Sequence, residues 1–153
     1  MKLFRFGEKE KERPGMLLRD GVMVDVSIFG EDFDEKFFAT RGLGYRTRVF
    51  DFGMMGFRLV GGAVRRVGGG QSALFAYQGG SAGRVLCQMY EGSTSDLPPA
   101  DEERETNQIR FRVYRRGSVT LVFWQEGPVA CALASDADPQ GVFDLAVAKA
   151  VRA

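Results

Sequence analysis

The chain has 153 residues, 44% of them hydrophobic and 27% charged, with 21 basic and 20 acidic side chains for a net charge of +1. That balance excludes the one-signed field of a nucleic-acid or anionic-surface binder, and no apolar run approaches the roughly 18–20 residues of a membrane span. Histidine is absent, which removes the commonest general base and transition-metal ligand; at this size about 68–70% of the unfolded surface can be buried without a metal or disulfide staple. Residues 1–25 turn charged at once and lack a signal-peptide layout, so the chain reads as soluble and cytoplasmic.

Taken in order, Lys2–Phe6 is a short strand with Phe4 and Phe6 on one side, and Gly7–Pro14 is a charged loop. Met16–Arg19 and Val22–Ile28 form a hairpin around Asp20-Gly21, a strong turn signal. Glu31–Phe38 reads as a short N-terminal helix: its acidic residues suit the start of the helix dipole, and Phe33 and Phe37 share a face. Residues 44–55 form a junction where glycines recur and periodicity is lost. Phe57–Val60 and Ala63–Val67 flank Gly61-Gly62 as a hairpin. Ser72–Tyr77 and Arg84–Tyr90 form another, and residues 91–107 are a long polar, acidic loop.

Ile109–Ala134 reads as a three-stranded meander. Two-residue loops at Arg116-Gly117 and Glu126-Gly127 would pair Val113 with Thr120, Phe111 with Val122, Phe123 with Ala130 and Leu121 with Ala132. One face is then Ile109, Phe111, Val113, Thr120, Val122, Trp124, Val129, Cys131 and Leu133, which must be core. The other mixes Arg110, Arg112 and Tyr114 with Val119, Leu121, Phe123 and three alanines. Those alanines would let a helix or another backbone approach closely. Asp138-Pro139 then opens a helix to about Val151, with Val142, Phe143, Ala146, Val147, Ala150 and Val151 as its apolar stripe. The expected architecture is α+β, mainly antiparallel sheet with a C-terminal helix and a short N-terminal one. Its divisions are residues 1–43, the junction 44–55, and residues 56–153.

Two segments carry family resemblances. The KLFRFG opening, the E-R-P-G step, the Asp20-Gly21 turn, the V-D-V-S strand and the acidic helix after it, over about residues 1–43, resemble the extreme N-terminus of fumarylacetoacetate hydrolase family proteins. In that family the metal-binding carboxylates and a catalytic histidine–glutamate pair lie in a larger C-terminal domain. A chain without histidine cannot hold that pair, so the resemblance implies ancestry of a segment. GFRLVGG (56–62), VGGGQSALFAY (67–77), FRVYRRGSVTLVFWQEGPVACALASD (111–136) and the closing helix resemble the C-terminal, sensor-side domain of bacterial anti-sigma factors. The zinc-binding helical domain and membrane helix usual there are not found in this sequence.

The candidate chemistry is sparse. The glycine-rich steps at 42–44 and 67–70 lack a phosphate-loop layout and read as turns. Asp101, Glu102, Glu103 and Glu105 read as a solvated loop, not a cation site. Cys87 and Cys131 read as buried free thiols. No catalytic, cofactor or metal residues are assigned, and the expectation is a non-enzymatic regulatory or protein-interaction module. Its partner-binding candidates are Arg110, Arg112, Tyr114 and Phe123, since arginine and aromatic residues concentrate at interaction hot spots. The partner class is another protein, with a homo-oligomer left open and no nucleic acid. The alternatives are an inactive hydrolase-family fragment, or a rearranged gene product whose two pieces have no joint function.

Overall fold

The computed structural model describes residues 2–8, 11–17, 23–25, 43–45, 47, 49–67, 70–79 and 83–151. The helix expected at Glu31–Phe38 and the turn expected at Asp20-Gly21 lie outside them. Strands β1 (Lys2–Phe6), β2 (Arg13–Leu17) and β3 (Met23–Asp25) form a small antiparallel sheet in chain order. Strand β2 begins earlier than expected and absorbs Gly15. A Cβ at Gly15 would stand 2.8 Å from both the Phe4 and Phe6 rings, so the bare backbone there lets the two aromatic rings close over the strand.

The main body is a seven-stranded antiparallel sheet of β4 (Phe57–Val67), β5 (Gly70–Gly79), β6 (Arg84–Glu91), β7 (Glu102–Thr106), β8 (Ile109–Arg116), β9 (Val119–Glu126) and β10 (Val129–Ser135). Their spatial order is β4-β5-β6-β10-β9-β8-β7. A three-strand meander is thus followed by a crossover to the far edge, and a four-strand meander returns until β10 closes against β6.

Several expectations need correction. Gly61-Gly62 is not a hairpin turn. β4 is continuous through it, with a bulge between Leu59 and Gly61. The bulge offsets the register, so Arg58 faces Gln78 and Arg65 faces Ser72, which relieves the arginine pair that simple pairing would impose. Residues 91–107 are not structureless. They hold a 3₁₀ turn at Thr94–Asp96 and strand β7, which was hidden because its inward residues, Glu102, Arg104 and Thr106, are polar. Arg104 makes that position work by laying its guanidinium 4.6 Å over the Phe143 ring while Glu102 pairs with it at 2.6 Å.

Both meander turns fall one residue later than expected. The two-residue loops are Gly117-Ser118 and Gly127-Pro128, so Val113 faces Val122 and Ala132 faces Phe123. Gly117 and Gly127 carry φ of +61 and +56 at the first loop position, with no positive φ at the second. That is the type II′ pattern, and Pro128, locked near −65°, fits only its second position. The register error is two residues, an even number, so the face assignment survives. Phe111, Val113, Thr120, Val122, Trp124, Val129, Cys131 and Leu133 are all buried on one side, with Ile109 packed at the margin.

The helix expected from Asp138 is present as α1 (Pro139–Val151). Asp138 Oδ2 accepts from the Gly141 N–H at 2.9 Å as its cap. Its buried side is Val142, Phe143, Leu145, Ala146, Lys149 and Ala150; Val151 is exposed, and Leu145 and Lys149 were not foreseen there. The helix covers the inner face of β9 and β10, with Phe143 edge-on to Phe111 at 5.3 Å. The β4–β6 half of the same face is covered by the chain entering β4, where Leu43, Tyr45, Phe50 and Phe52 join the core. Tyr45 Oη accepts from the Ala73 N–H and donates to the Met89 carbonyl, and Tyr77 Oη donates to the Phe50 carbonyl at 2.9 Å.

Candidate protein-interaction face

The outer face of the sheet has two halves. On β8 and β9 stand the residues singled out in the sequence. Tyr114 is buried, edge-on to Phe123 at 5.5 Å, and its hydroxyl donates to the Pro98 carbonyl at 2.7 Å. Arg112 donates to the Thr94 carbonyl at 2.6 Å and pairs with Glu103 at 3.2 Å. Gln125 completes the arrangement by accepting from the Thr94 N–H and donating to the Gly92 carbonyl, both at 2.9 Å. The crossover 92–100 is therefore laid over Arg112, Tyr114 and Phe123 and fastened to them. Arg110 alone of the four is exposed, beside a small hollow of about 200 Å³ that it shares with Gln108 and Gln125. The acidic residues read as a solvated loop mostly face these arginines: Asp101 pairs with Arg116 at 3.0 Å and accepts from the Arg115 N–H at 2.6 Å. Chiefly that N–H, and then the two guanidinium groups, hold the Asp101 carboxyl below its usual range.

The β4–β6 half is different. A shallow cleft of about 530 Å³ lies across it, lined by Val60, Gly61, Ala63, Leu74, Ala76 and Leu86, with Arg58, Arg65, Gln78 and Arg84 at its ends. The register arranges these in rows: Arg58, Gln78 and Arg84; then Gly61, Ala76 and Leu86; then Ala63, Leu74 and Gln88; then Arg65, Ser72 and Tyr90. Two largely apolar rows are thus bracketed by basic ones. The second row continues across the sheet through Ala134 and Leu121 to Tyr114. Val60, the bulged residue, is 48% exposed and Leu86 is 43% exposed. Among the described residues no ion pair involves Arg58, Arg65 or Arg84; Arg84 donates to the Gln78 amide at 3.2 Å. In the sequence this face was obscured, because a hairpin at Gly61-Gly62 would have dispersed it.

Two further places were searched for chemistry. A cleft of about 600 Å³ at the start of α1 is lined by Met55, Phe57, Leu145, Asp136, Asp138 and Asp144. No group of three or more potential ligand side chains among the described residues is placed to hold a metal ion. Inside the core, Lys149 Nζ is fully buried, 3.1 Å from Glu126 Oε1, 3.7 Å from Cys131 Sγ and 5.1 Å from the centre of the Trp124 ring. Trp124 Nε1 donates to the same Glu126 oxygen at 2.7 Å. Burial pulls the ammonium pKa down, but the sulfurs of Cys87 and Cys131 and the Glu126 carboxylate outweigh it, so the net shift is upward. Burial pushes the Cys87 thiol up to about 11, against the lowering field of Lys149, and Cys131 higher still. Both are free, protonated thiols at neutral pH. With no cavity reaching it, this cluster is structural.

No protein-family model, curated protein or solved structure matches the chain. No helix among the described residues is long and apolar enough to cross a membrane.

Proposed function

We propose that the chain is a non-enzymatic protein-interaction module, of the regulatory kind implied by the resemblance of residues 56–151 to the sensor-side domain of anti-sigma factors. One observation carries the reading: an apolar cleft left exposed on the outer face of β4–β6, bounded by arginines outside any described ion pair. Exposed apolar surface with a polar rim marks contact sites, and arginine is favoured over lysine at such rims. The four residues expected to meet a partner belong mostly to the chain's own packing. The binding surface is accordingly assigned to Leu86, Val60 and Leu74, with Arg58, Arg65 and Arg84 around them. Affinity capture from native cell extract tests this: the wild-type chain is expected to retain a stoichiometric protein that Leu86→Glu loses, with folding of the variant verified by circular dichroism. Retention of the same protein by both chains would refute the assignment.

A further inference from the structure

Resting on that reading, we infer that the partner element is an acidic amphipathic helix lying along β4–β6. Three observations fix its chemistry. The first is charge. Arg58 and Arg84 stand at one end of the cleft and Arg65 at the other, and no carboxylate lines it. The opposite edge of the sheet makes the contrast: the arginines of β8 there are met by Asp101, Glu102 and Glu103 from the same chain. Because those acids are already engaged internally, a second copy presenting its β7 edge supplies little complementary charge.

The second is the floor. Gly61, Ala63 and Ala76 place backbone or methyl groups at the base of the cleft, and Leu74, Leu86 and Val60 rise beside them. Small residues under larger flanking ones admit the cylinder of a helix. The inner face is the precedent: α1 already packs on this sheet, its Leu145, Ala146 and Ala150 buried there.

The third is spacing. From the Gln78 row to the Ser72 row is three two-residue steps along β5, about 20 Å at the usual strand rise. A helix covers about 20 Å in about 13 residues. The matching ligand carries carboxylates near both ends of such a helix and a leucine-type stripe between them, running along the strands.

The test uses the full chain and a fluorescein-labelled helical peptide of about 14 residues, with paired glutamates at each end and a leucine stripe between. Fluorescence anisotropy is expected to give a Kd on the order of 10 μM, weakening as salt is raised through the range where the screening length falls to about 8 Å. Arg65→Glu, at an exposed position, is expected to weaken binding about 10-fold, the scale of one charge-assisted contact, as is replacing the peptide's glutamates by glutamine. Absence of binding, equal binding of the glutamine peptide, or preference for polyuridylate over the acidic peptide would each overturn the inference. The two proposals fail separately. If Leu86→Glu still abolishes capture from extract while the acidic peptide does not bind, the face is an interaction surface for a different kind of partner. If capture is unchanged by Leu86→Glu, the face itself is wrongly assigned.

Discussion

Lys149 shows how much one side chain can alter a helix stripe. Its Nζ meets a carboxylate, an indole face and a thiol within the core. Truncating it leaves the Glu126 carboxylate, 20% exposed in its side chain, without its cation. Lys149→Ala is therefore expected to cost about 3 kcal/mol, whereas Lys149→Met combined with Glu126→Gln should be close to neutral, because a similar volume is filled and the Trp124 donor keeps an acceptor. Guanidinium unfolding of the two variants checks this; equal losses would refute the pairing. The same core sets an alkaline limit. Cys87 rises from 9.0 to about 11 and Tyr45 from 10.0 to about 12, both chiefly through burial, and Lys149 shifts upward as well. A raised folded-state pKa means that the native chain holds a proton the unfolded chain has released. The associated stability is complete below pH 9.0 and is lost as pH climbs toward 11. The urea midpoint should fall steadily from about pH 8 to about pH 10.5, and a flat profile would refute this. None of this was legible from position alone, since a lysine one turn from the end of an amphipathic helix ordinarily faces water.

At the scale of elements, what the sequence revealed depended on whether inward residues were apolar. β8, β9 and β10 alternate cleanly, so their faces could be assigned even with the turns misplaced. β7 could not be seen, because Arg104 buries its stem under a charge and Glu102 and Thr106 flank it. β4 was split in two by glycines that serve a bulge. The hairpin between β7 and β8 carries a different lesson. Asn107 and Gln108 have φ of +53 and +64, the type I′ pattern, where Asn-Gly is favoured. Gln108 holds a conformation that side-chain-bearing residues adopt at a cost. Gln108→Gly is expected to stabilise the chain by about 0.5–1 kcal/mol, read as a rise in thermal midpoint; a fall would show that the Gln108 side chain contributes more than its strain removes.

For the whole molecule, the sheet can be divided into quarters. α1 covers the inner side of β9 and β10, the segment entering β4 covers the inner side of β4–β6, and the crossover 92–100 covers the outer side of β8 and β9. Among the described residues the outer side of β4–β6 is the quarter that retains exposed leucine and valine. Two neighbours on β6 and β10 make the distinction measurable. Leu86→Glu should change stability by less than about 0.5 kcal/mol, while Leu133→Ala, fully buried across the same pair of strands, should cost about 2–5 kcal/mol. Similar losses in chemical denaturation would mean that Leu86 belongs to the core and that no contact face lies there. The candidate site was only partly visible beforehand. Its arginines and leucines are scattered through three strands and meet only after the β4 bulge is known.

The position of β10 bears on how the molecule is made. Its two neighbours, β6 and β9, belong to separate meanders, so each has an open edge until the strand between them arrives. During vectorial synthesis those two edges emerge from the ribosome first and wait. Their pairing joins segments distant in the chain, which places the closing event among the slow, late steps of folding. A nascent chain halted just before Val129 therefore presents two unpaired strand edges, the configuration most prone to capture by other chains. Keeping that interval short is a demand placed on the translation of the residues that follow Pro128.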